Sequence, residues 1–476
     1  MKSLASIILF LFLFPRSIFA IAITEDSVSY SSFGKITMYI PAQKPSSIAL
    51  FISGDGGWKL GVINMARNVA DQGALVAGID YKRYYKSLAK SSSSCYYPAA
   101  DFERLSMMLQ KKYKFSEYVK PVLIGYSAGA TLVYGLLAQA PANTFKGAVA
   151  LGFCPDIQSP KPLCEGYGLS SHHVKNKTFL LDRTTRLTAP FIVLNGVRDL
   201  TCPFAATKEF LKGLPSSEFI TLSKVGHGFS IADNWLPQFN IAYKKVLDAP
   251  AYPQQHNAQA ELLRPKYYPD VSNNLPLSFI PSSEINSKPL VFLISGDGGW
   301  TSFDHSLAET IASQGMPVVG LDSQKYFWNP KSPERTTEDI SKTIDLYMQR
   351  YNKKSFILMG YSFGACIVPF VANRIPFPLK EKMKELFLIS PDEEGDFEIH
   401  ISDMLGLGIN KEKYDVVSEL KKIESIKPVC LFETEADRDV IQRFEMSSHS
   451  TILKLAGGHH FSNNYKAIVD RMLEYM

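Results

Sequence analysis

The sequence predicts an α/β fold made of two tandem domains, each a mostly parallel sheet with helices on both faces. Short and almost continuously apolar segments alternate with segments of helical spacing, which is typical of parallel strands that are buried on both sides. Several motifs occur twice in the same order. Each copy also carries a Gly-x-Ser-x-Gly motif between an apolar segment and a helix-forming one. At roughly 150 residues per domain, the length of 476 residues allows two to three domains.

The same series of elements is predicted in both copies. Strands are expected in the first copy at 48–52, 74–79, 122–124, 148–152 and 191–194, and in the second at 290–294, 317–321, 356–359, 385–389 and 429–432. Helical spacing is found at 102–112 and 337–351. Strands that alternate with helices in this way predict a parallel sheet in each copy.

Four features recur at nearly constant separation, which indicates two copies of one domain. They are Ser-Gly-Asp-Gly-Gly-Trp at Ser53–Trp58 and Ser295–Trp300, Gly-Tyr-Ser-x-Gly-Ala at Gly125–Ala130 and Gly360–Ala365, an apolar segment before Asp199 and Asp437, and Gly-His at Gly226-His227 and Gly458-His459. We expect domains at 23–248 and 269–476. Residues 249–268 contain three prolines and are predicted to be a linker.

Residues 1–22 have the features of a secretory signal peptide. Lys2 precedes an apolar stretch from Leu4 to Phe14, and Ala20-Ile21-Ala22 places small residues at a cleavage site. The alternative, a membrane anchor, needs about 20 apolar residues, and this stretch is shorter. We therefore expect an exported protein, and the periplasm if the source is a Gram-negative bacterium.

The amino-acid composition excludes several classes of protein. Hydrophobic residues make up 46% of the chain and charged residues 20%, which excludes a disordered or fibrous protein. The formal net charge of +5 comes with no basic cluster, so nothing supports nucleic-acid binding. No cofactor is expected, and metal binding is not expected either, because the cysteines and histidines lack zinc-ligand spacing.

The six cysteines suit an oxidising compartment. The four in the first copy are Cys95, Cys154, Cys164 and Cys202. They allow two disulfides in three connectivities, of which a Cys154–Cys164 bridge closes the shortest loop. Cys366 and Cys430 are expected to be buried free thiols.

The Gly-x-Ser-x-Gly motifs place Ser127 and Ser362 at candidate nucleophile elbows. In such an elbow a strand turns sharply into a helix, and the serine at the strained turn is exposed at the helix N-terminus, where negative charge is favoured. The alternative is a tight turn without catalysis. We regard this alternative as more plausible for the first copy, since duplicated domains often keep the fold after losing the chemistry.

A serine nucleophile needs a general base, and the base needs an orienting carboxylate. The α/β-hydrolase order Ser, Asp, His occurs twice, as Ser127, Asp199, His227 and as Ser362, Asp437, His459. Asp439 and His460 are competing candidates in the second copy, but the repeat alignment favours Asp437 and His459. The sequence thus predicts two α/β-hydrolase-like domains.

An oxyanion hole should complete each site. One amide is expected from the residue after the nucleophile, Ala128 or Phe363, and the other from the Ser-Gly-Asp-Gly-Gly-Trp loop at Gly56 or Gly298. The aspartates of these loops, Asp55 and Asp297, either brace the loop or attract a cationic substrate group.

Beyond these motifs, the sequence resembles the AcvB/VirJ family of exported bacterial virulence-associated proteins, in particular its longer two-domain type. The resemblance covers nearly the whole mature chain. The matching segments, besides the repeated motifs, are Asp322–Trp328, Asp396–His400, Gly457–Phe461, Gly125–Leu132 and Leu151–Asp156.

The resemblance implies a periplasmic serine hydrolase that cleaves the aminoacyl ester of lysyl-phosphatidylglycerol, an aminoacylated phospholipid at the membrane surface. Ser362 would be the nucleophile of the second domain, and the first domain would be a second esterase or a docking module. Asp297, Glu393, Glu394 and Asp396 could then recognise the lysyl ammonium groups, although a solvated acidic loop is an equal alternative. Two other functions stay open: a non-catalytic adaptor with a secretion-system partner, and an esterase for another lipid ester.

Overall fold

The computed structural model describes residues 23–59, 61–90, 95–165, 168–250, 275–282, 286–400, 414–447 and 449–476. The predicted signal peptide and residues 251–268 of the predicted linker lie outside the described residues. Each sequence copy forms one main sheet, and a small additional sheet accompanies each of them.

The first domain runs from β1 to α6. Its strands are β1 (Thr24–Tyr30), β2 (Gly34–Ile40), β3 (Ser47–Ile52), β4 (Ala74–Ile79), β5 (Val122–Tyr126), β6 (Gly147–Leu151), β7 (Asp156–Gln158), β8 (Ser171–Lys175), β9 (Thr178–Leu181), β10 (Phe191–Gly196) and β11 (Ser217–Leu222). Its helices are α1 (Ile63–Asp71), α2 (Tyr81–Leu88), α3 (Pro98–Lys112), α4 (Ala128–Gln139), α5 (Phe204–Leu211) and α6 (Leu236–Asp248).

The main sheet of this domain has the order β1-β2-β4-β3-β5-β6-β10-β11. All pairings from β4 to β11 are parallel, whereas β1–β2 and β2–β4 are antiparallel. The five predicted strands are confirmed. The antiparallel edge was not predicted, because most side chains of β1 are exposed and give no apolar segment.

The second domain repeats this arrangement. Its strands are β12 (Leu277–Ile280), β13 (Leu290–Ile294), β14 (Val318–Leu321), β15 (Phe356–Tyr361), β16 (Met383–Ile389), β17 (Glu394–Gly395), β18 (Tyr414–Asp415), β19 (Val429–Glu433) and β20 (Thr451–Leu455). Its helices are α7 (Ser302–Ser313), α8 (Ser323–Tyr326), α9 (Pro333–Arg350), α10 (Phe363–Arg374), α11 (Phe377–Lys380), α12 (Val416–Leu420), α13 (Arg438–Met446) and α14 (Tyr465–Leu473).

The second sheet has the order β12-β14-β13-β15-β16-β19-β20, in which only the edge strand β12 is antiparallel to its neighbour. The parallel core strands of both domains therefore occur in the same order. Their carboxyl ends meet at one edge of each sheet, and ligands of open α/β folds bind at this edge.

Both faces of each sheet are covered, as the apolar strands predict. In β3, Leu50 belongs to a core with α3 and α4, whereas Phe51 belongs to a core with α1 and α6. The second sheet divides in the same way between α9 and α10 on one face and α7 and α14 on the other. This two-sided burial explains why the strands lack polar alternation.

The two domains contact each other through the segment that contains α8. Lys325 Nζ lies 3.1 Å from Glu103 Oε1 on α3 and 2.8 Å from Asp322 Oδ2. Trp328 is 3% exposed, packs against the Tyr118 ring and donates a hydrogen bond to the Phe115 carbonyl. The family segment Asp322–Trp328 is thus an interdomain contact in this protein.

Two disulfide bonds cross-link the first domain, Cys95–Cys164 and Cys154–Cys202. The shortest-loop alternative, Cys154–Cys164, is wrong, because sequence separation does not report which thiols the fold brings together. Cys366 and Cys430 are buried free thiols, as predicted. Among the described residues, no helix combines the length and apolar character needed to cross a membrane.

Candidate active sites

Each catalytic serine candidate occupies a strained turn between a strand and a helix. Ser127 has φ 55° and ψ −121° between β5 and α4, and Ser362 has φ 51° and ψ −115° between β15 and α10. A positive φ in a residue with a side chain costs free energy and is concentrated at functional sites. Both copies of the motif therefore form the predicted elbow.

The motif glycines permit this turn because they allow backbones to touch. A side chain on Gly125 would collide with the carbonyl oxygen of Gly129, and one on Gly360 with that of Gly364. The helix start also packs against the preceding strand, since the Gly364 amide donates to the Ser295 carbonyl. Larger residues at these positions would force the helix away from the sheet.

The first site brings together its three predicted residues. His227 Nε2 lies 2.9 Å from Ser127 Oγ, and His227 Nδ1 lies 2.9 Å from Asp199 Oδ2. The Asp199 side chain is fully buried. Its other oxygen accepts hydrogen bonds from the amides of Thr201 and Cys202 at 2.9 and 2.8 Å.

The Cys154–Cys202 disulfide lies directly behind this carboxylate. Cys202 supplies one of the two amides that hold Asp199, and the bridge ties this loop to Cys154, which follows β6. Thr131 on α4 in turn donates to the Cys154 carbonyl at 2.6 Å. The disulfide therefore links the carboxylate loop to the helix that begins at the nucleophile.

The second site pairs its serine and histidine in the same way but uses a different carboxylate. His459 Nε2 lies 2.9 Å from Ser362 Oγ, and His459 Nδ1 lies 3.1 Å from Glu433 Oε1. His460, the competing candidate, instead packs its ring edge-on against Phe303.

The predicted acid Asp437 is therefore corrected to Glu433. Asp437 is exposed and caps α13, accepting a hydrogen bond from the Asp439 amide at 2.9 Å. Repeat alignment favoured Asp437 because it matches Asp199, whereas Glu433, the last residue of β19, matches Asn195. The signal that was missed is a buried glutamate at the carboxyl end of a central apolar strand.

The two sites differ at a second position, next to the carboxylate. Ser390 follows β16 and donates a hydrogen bond to Glu433 Oε2, whereas the matching residue of the first domain is Gly152. A side chain on Gly152 would approach both His227 and Asp199. The residue that follows the fourth parallel core strand, β6 or β16, thus suits the position of the carboxylate in each site.

In the second site, Glu433 and His459 stabilise each other's charged forms. Burial alone would raise the pKa of Glu433, but hydrogen bonds from His459 and Ser390 together lower the pKa below its ordinary value. The hydrogen bond to Glu433 raises the pKa of His459 against the effect of burial, and the charge of Asp297 adds to this rise. The His459 side chain is 50% exposed, against 21% for His227, so the second site is the more open one.

A tyrosine within each elbow positions the histidine loop. The Tyr126 hydroxyl donates to the His227 carbonyl at 2.9 Å, and the Tyr361 hydroxyl donates to the His459 carbonyl at 3.1 Å. Burial raises the pKa of both tyrosines, which keeps them protonated as donors. The tyrosine that directly precedes the serine in both motifs is the sequence feature that indicates this contact.

The oxyanion loops are close to the serines, at glycines other than those predicted. A side chain built on Gly54 would lie 3.2 Å from Ser127 Cβ, and one on Gly296 would lie 3.5 Å from Ser362 Cβ. Gly298, predicted for this place, has Thr301 as its near neighbour instead, and Gly56 is its counterpart. The loop approaches each serine at its first glycine.

The other predicted donors, Ala128 and Phe363, are the first residues of α4 and α10. Amides in the first turn of a helix lack intrahelical acceptors. They are therefore available to a developing oxyanion next to the serine.

Two acids of the predicted acidic pocket already have partners within the protein. Glu393 forms an ion pair with Arg443 at 2.9 Å, and Asp396 lies 2.9 Å from His400. Glu394 is exposed in β17. Asp297 is also exposed and acts electrostatically on His459, so it is the predicted acid with a direct link to the triad. Among the described residues, no group of three or more His, Cys, Asp or Glu could hold a metal ion.

Comparison with known proteins identifies the family. The profile described as bacterial virulence protein (VirJ) matches residues 46–151 and 288–476, which is more than half of the chain. The chain belongs to the VirJ family. The two matched stretches of this VirJ-family protein fall in its two domains, in agreement with the resemblance seen in the sequence. No curated protein matches the chain.

Solved structures similar to this VirJ-family protein include three esterase-type proteins. Est1E from Butyrivibrio proteoclasticus has 11% identity and a TM-score of 0.31, and the match covers 47% of this chain and 98% of that one. An esterase domain from Rhodothermus marinus has 14% identity, coverage of 47% and 98%, and a TM-score of 0.31. A lipase-esterase related protein from Clostridium acetobutylicum has 15% identity, coverage of 42% and 99%, and a TM-score of 0.34.

Exchanging each acid for its amide tests which carboxylate serves the second site. In a Ser127→Ala background, Glu433→Gln should lower kcat roughly 10³–10⁴-fold, because the amide no longer orients His459 or stabilises its charged form. Asp437→Asn is the matched control, since asparagine caps a helix as well as aspartate does. Steady-state ester hydrolysis measures both variants, and a large loss in Asp437→Asn with little loss in Glu433→Gln would contradict the assignment.

The pH profile of the second site tests the charge of His459. The histidine must be neutral to accept the Ser362 proton, and its pKa is raised above the ordinary value of 6.5. Its protonated form therefore persists to higher pH, and kcat/KM should rise with pH through an apparent pKa above 6.5. Glu433→Gln should shift that limb downward. A limb at or below 6.5 in the Ser127→Ala protein would show that Glu433 does not act on His459.

Proposed function

We propose that the protein is a serine ester hydrolase and that its second site cleaves the aminoacyl ester of lysyl-phosphatidylglycerol. The observation that carries the proposal is the hydrogen-bonded series Ser362, His459 and Glu433 on a strained elbow. Family membership and the open second site support an ester with a large leaving group.

The acylation half of the reaction follows from this geometry. As Ser362 Oγ attacks the lysyl carbonyl carbon, His459 Nε2 takes the hydroxyl proton and Glu433 stabilises the resulting imidazolium. The Phe363 amide stabilises the oxyanion together with the loop at Gly296. When the tetrahedral intermediate collapses, His459 returns the proton to the glycerol oxygen, and phosphatidylglycerol leaves.

Water completes the cycle. His459 removes a proton from a water molecule that attacks the lysyl–Ser362 ester, and the proton then passes to Ser362 Oγ as lysine is released. Asp297 supports the choice of a cationic acyl group, because its exposed carboxylate acts on His459 across the same site. Its other suggested role, bracing the loop, remains the alternative.

The first domain is proposed to be a second ester hydrolase site. It has a complete triad with a fully buried carboxylate that two amides hold. Leu200 and Ile231 flank its acid and histidine loops and are 93% and 62% exposed. Apolar side chains at the mouth of a site suit contact with a lipid surface, which supports hydrolysis of esters at a membrane.

We propose the periplasm as the location of the protein. The predicted signal peptide and the two disulfides of the first domain both favour an oxidising, exported compartment. An adaptor that assists a secretion system is the competing proposal. A non-catalytic adaptor would not need the two complete triads, which favours the hydrolase.

Separate serine variants test the proposed substrate and its site. The full-length protein, Ser127→Ala and Ser362→Ala should each be mixed with vesicles that contain lysyl-phosphatidylglycerol, and lysine release should be followed. We expect Ser362→Ala to lose more than about 10³-fold of the rate and Ser127→Ala to retain most of it. Full activity in Ser362→Ala would assign the reaction to another site. If the parent protein releases no lysine, lysyl-phosphatidylglycerol is rejected as its substrate.

A further inference from the structure

The Asp322–Trp328 segment lies between the oxyanion loop of the second site and the first domain. It begins directly after β14 and contains the short helix α8. Residues four apart on a helix share one face, whereas residues two apart do not. Ser323 and Phe327 therefore lie on one side of the segment, and Lys325 lies on another.

The Ser323 side of the segment contacts the oxyanion loop. The Ser323 hydroxyl donates to the Gly296 carbonyl, and the Ser323 amide donates to the Ser295 hydroxyl at 3.0 Å. Both serines are completely buried. Gly296 is the glycine that lies against Ser362. A displacement of Ser323 would therefore displace the part of the loop that is nearest to the nucleophile.

Two further side chains of the segment reach the same region. A Cβ atom built on Gly299 of the loop would lie 2.8 Å from Asp322 Oδ1. The fully buried Phe327 ring packs edge-on against Phe363, with ring centroids 5.2 Å apart. Phe363 is the expected source of the other oxyanion amide. The segment thus contacts both expected contributors to the oxyanion hole.

The Lys325 side of the segment contacts the first domain. Lys325 Nζ lies 2.8 Å from Asp322 Oδ2 and 3.1 Å from Glu103 Oε1 on α3. The three side chains are 19%, 6% and 18% exposed, in the order Lys325, Asp322 and Glu103. Removing one member of such a shielded set leaves the others poorly compensated. Lys325 therefore connects Glu103 of the first domain to the aspartate that lies against the oxyanion loop.

The same helix of the first domain also contacts the end of the segment. Lys111 Nζ, on α3, donates to the Trp328 carbonyl and lies 4.7 Å from the centroid of the Trp328 ring. The segment is therefore attached to α3 at two places, Lys325 and Trp328.

The first site obtains the corresponding support from within its own domain. Asp80, which matches Asp322, accepts a hydrogen bond from the Trp58 amide of its oxyanion loop at 3.0 Å. Arg83, which matches Lys325, donates to the Lys35 carbonyl at 3.3 Å. The two sites thus differ in which domain supports the residues behind the oxyanion loop.

We propose that Glu103 and Lys325 are positioning residues of the second site, through which the first domain fixes the oxyanion loop beside Ser362. The inference rests on the proposed function and deepens it, because it gives the first domain a part in the reaction at the second site. An oxyanion forms only as Ser362 attacks, so the position of the loop acts on the transition state.

Labelling with a short-chain alkyl fluorophosphonate tests the proposal on the full-length protein, because the phosphoryl oxygen of the probe occupies the oxyanion hole during attack. Peptide mass spectrometry follows Ser362 and Ser127 in the same sample, which makes Ser127 an internal control. Glu103→Leu should slow labelling of Ser362 at least about tenfold, which corresponds to about 1.4 kcal/mol. Labelling of Ser127 should stay within about twofold of the parent rate.

A matched control removes an interdomain hydrogen bond outside the segment. Asn329 donates to the Ser116 carbonyl at 3.0 Å, and Asn329→Ala should label like the parent at both serines. Unchanged labelling of Ser362 in Glu103→Leu, or equal slowing at both serines, would overturn the proposal.

A double variant tests whether the two residues act through one connection. Lys325→Met should also slow labelling of Ser362, and adding Glu103→Leu to it should change the rate by less than about twofold. A further tenfold loss in the double variant would show independent effects and overturn the proposal.

Steady-state kinetics distinguish positioning from a general loss of structure. In a Ser127→Ala background, Glu103→Leu should lower kcat for lysine ethyl ester about tenfold and keep KM within about twofold. A raised KM with unchanged kcat would place the effect in substrate binding and overturn the proposal.

Hydrogen–deuterium exchange separates this proposal from the proposed function and uses Glu103→Gln, which keeps the size of the side chain if Glu103→Leu does not fold. Amides of residues 295–300 should exchange about threefold faster or more in the variant, whereas residues 53–58 should exchange as in the parent. Faster exchange at 295–300 without labelling of the parent at Ser362 would sustain the interdomain support and reject the hydrolase. Labelling of the parent at Ser362 with unchanged exchange in Glu103→Gln would do the reverse.

Discussion

The strained serine at the strand–helix turn is the constraint on which both sites depend. A positive φ at Ser127 and Ser362 lifts the hydroxyl from the sheet edge toward the histidine loop. The turn requires glycine on both sides, since the backbones meet there. It also fixes the start of α4 and α10, whose first amides face any oxyanion formed at the serine. The tyrosine inside each motif then holds the histidine loop.

The two copies meet this constraint with different carboxylates. The first uses Asp199 in the loop after β10, and the second uses Glu433 at the end of β19. The longer glutamate side chain reaches the histidine from the strand itself. Ser390 supports that position, whereas Gly152 leaves space at the other. The two copies therefore share the geometry of the histidine, although the carboxylate that orients it occupies a different position in the sequence of each copy.

Local patterns predicted the strands, the elbows and the histidines well. Each of these depends on residues close together in sequence, such as apolar runs and the Gly-Tyr-Ser turn. Glu433 was missed because repeat alignment assumes that equivalent positions keep equivalent roles. The pairing of Glu393 with Arg443 and the disulfide partners depend on which distant segments meet, and sequence spacing does not report that.

The central claim is that both elbows carry activated serines, and site-resolved labelling with a fluorophosphonate probe tests it most directly. The full-length protein should be labelled at Ser127 and at Ser362, as mapped by peptide mass spectrometry, because each hydroxyl lies 2.9 Å from its histidine. Ser127→Ala and Ser362→Ala should each lose only their own label. Absence of label from both serines in the folded protein would contradict the account and favour a non-catalytic adaptor.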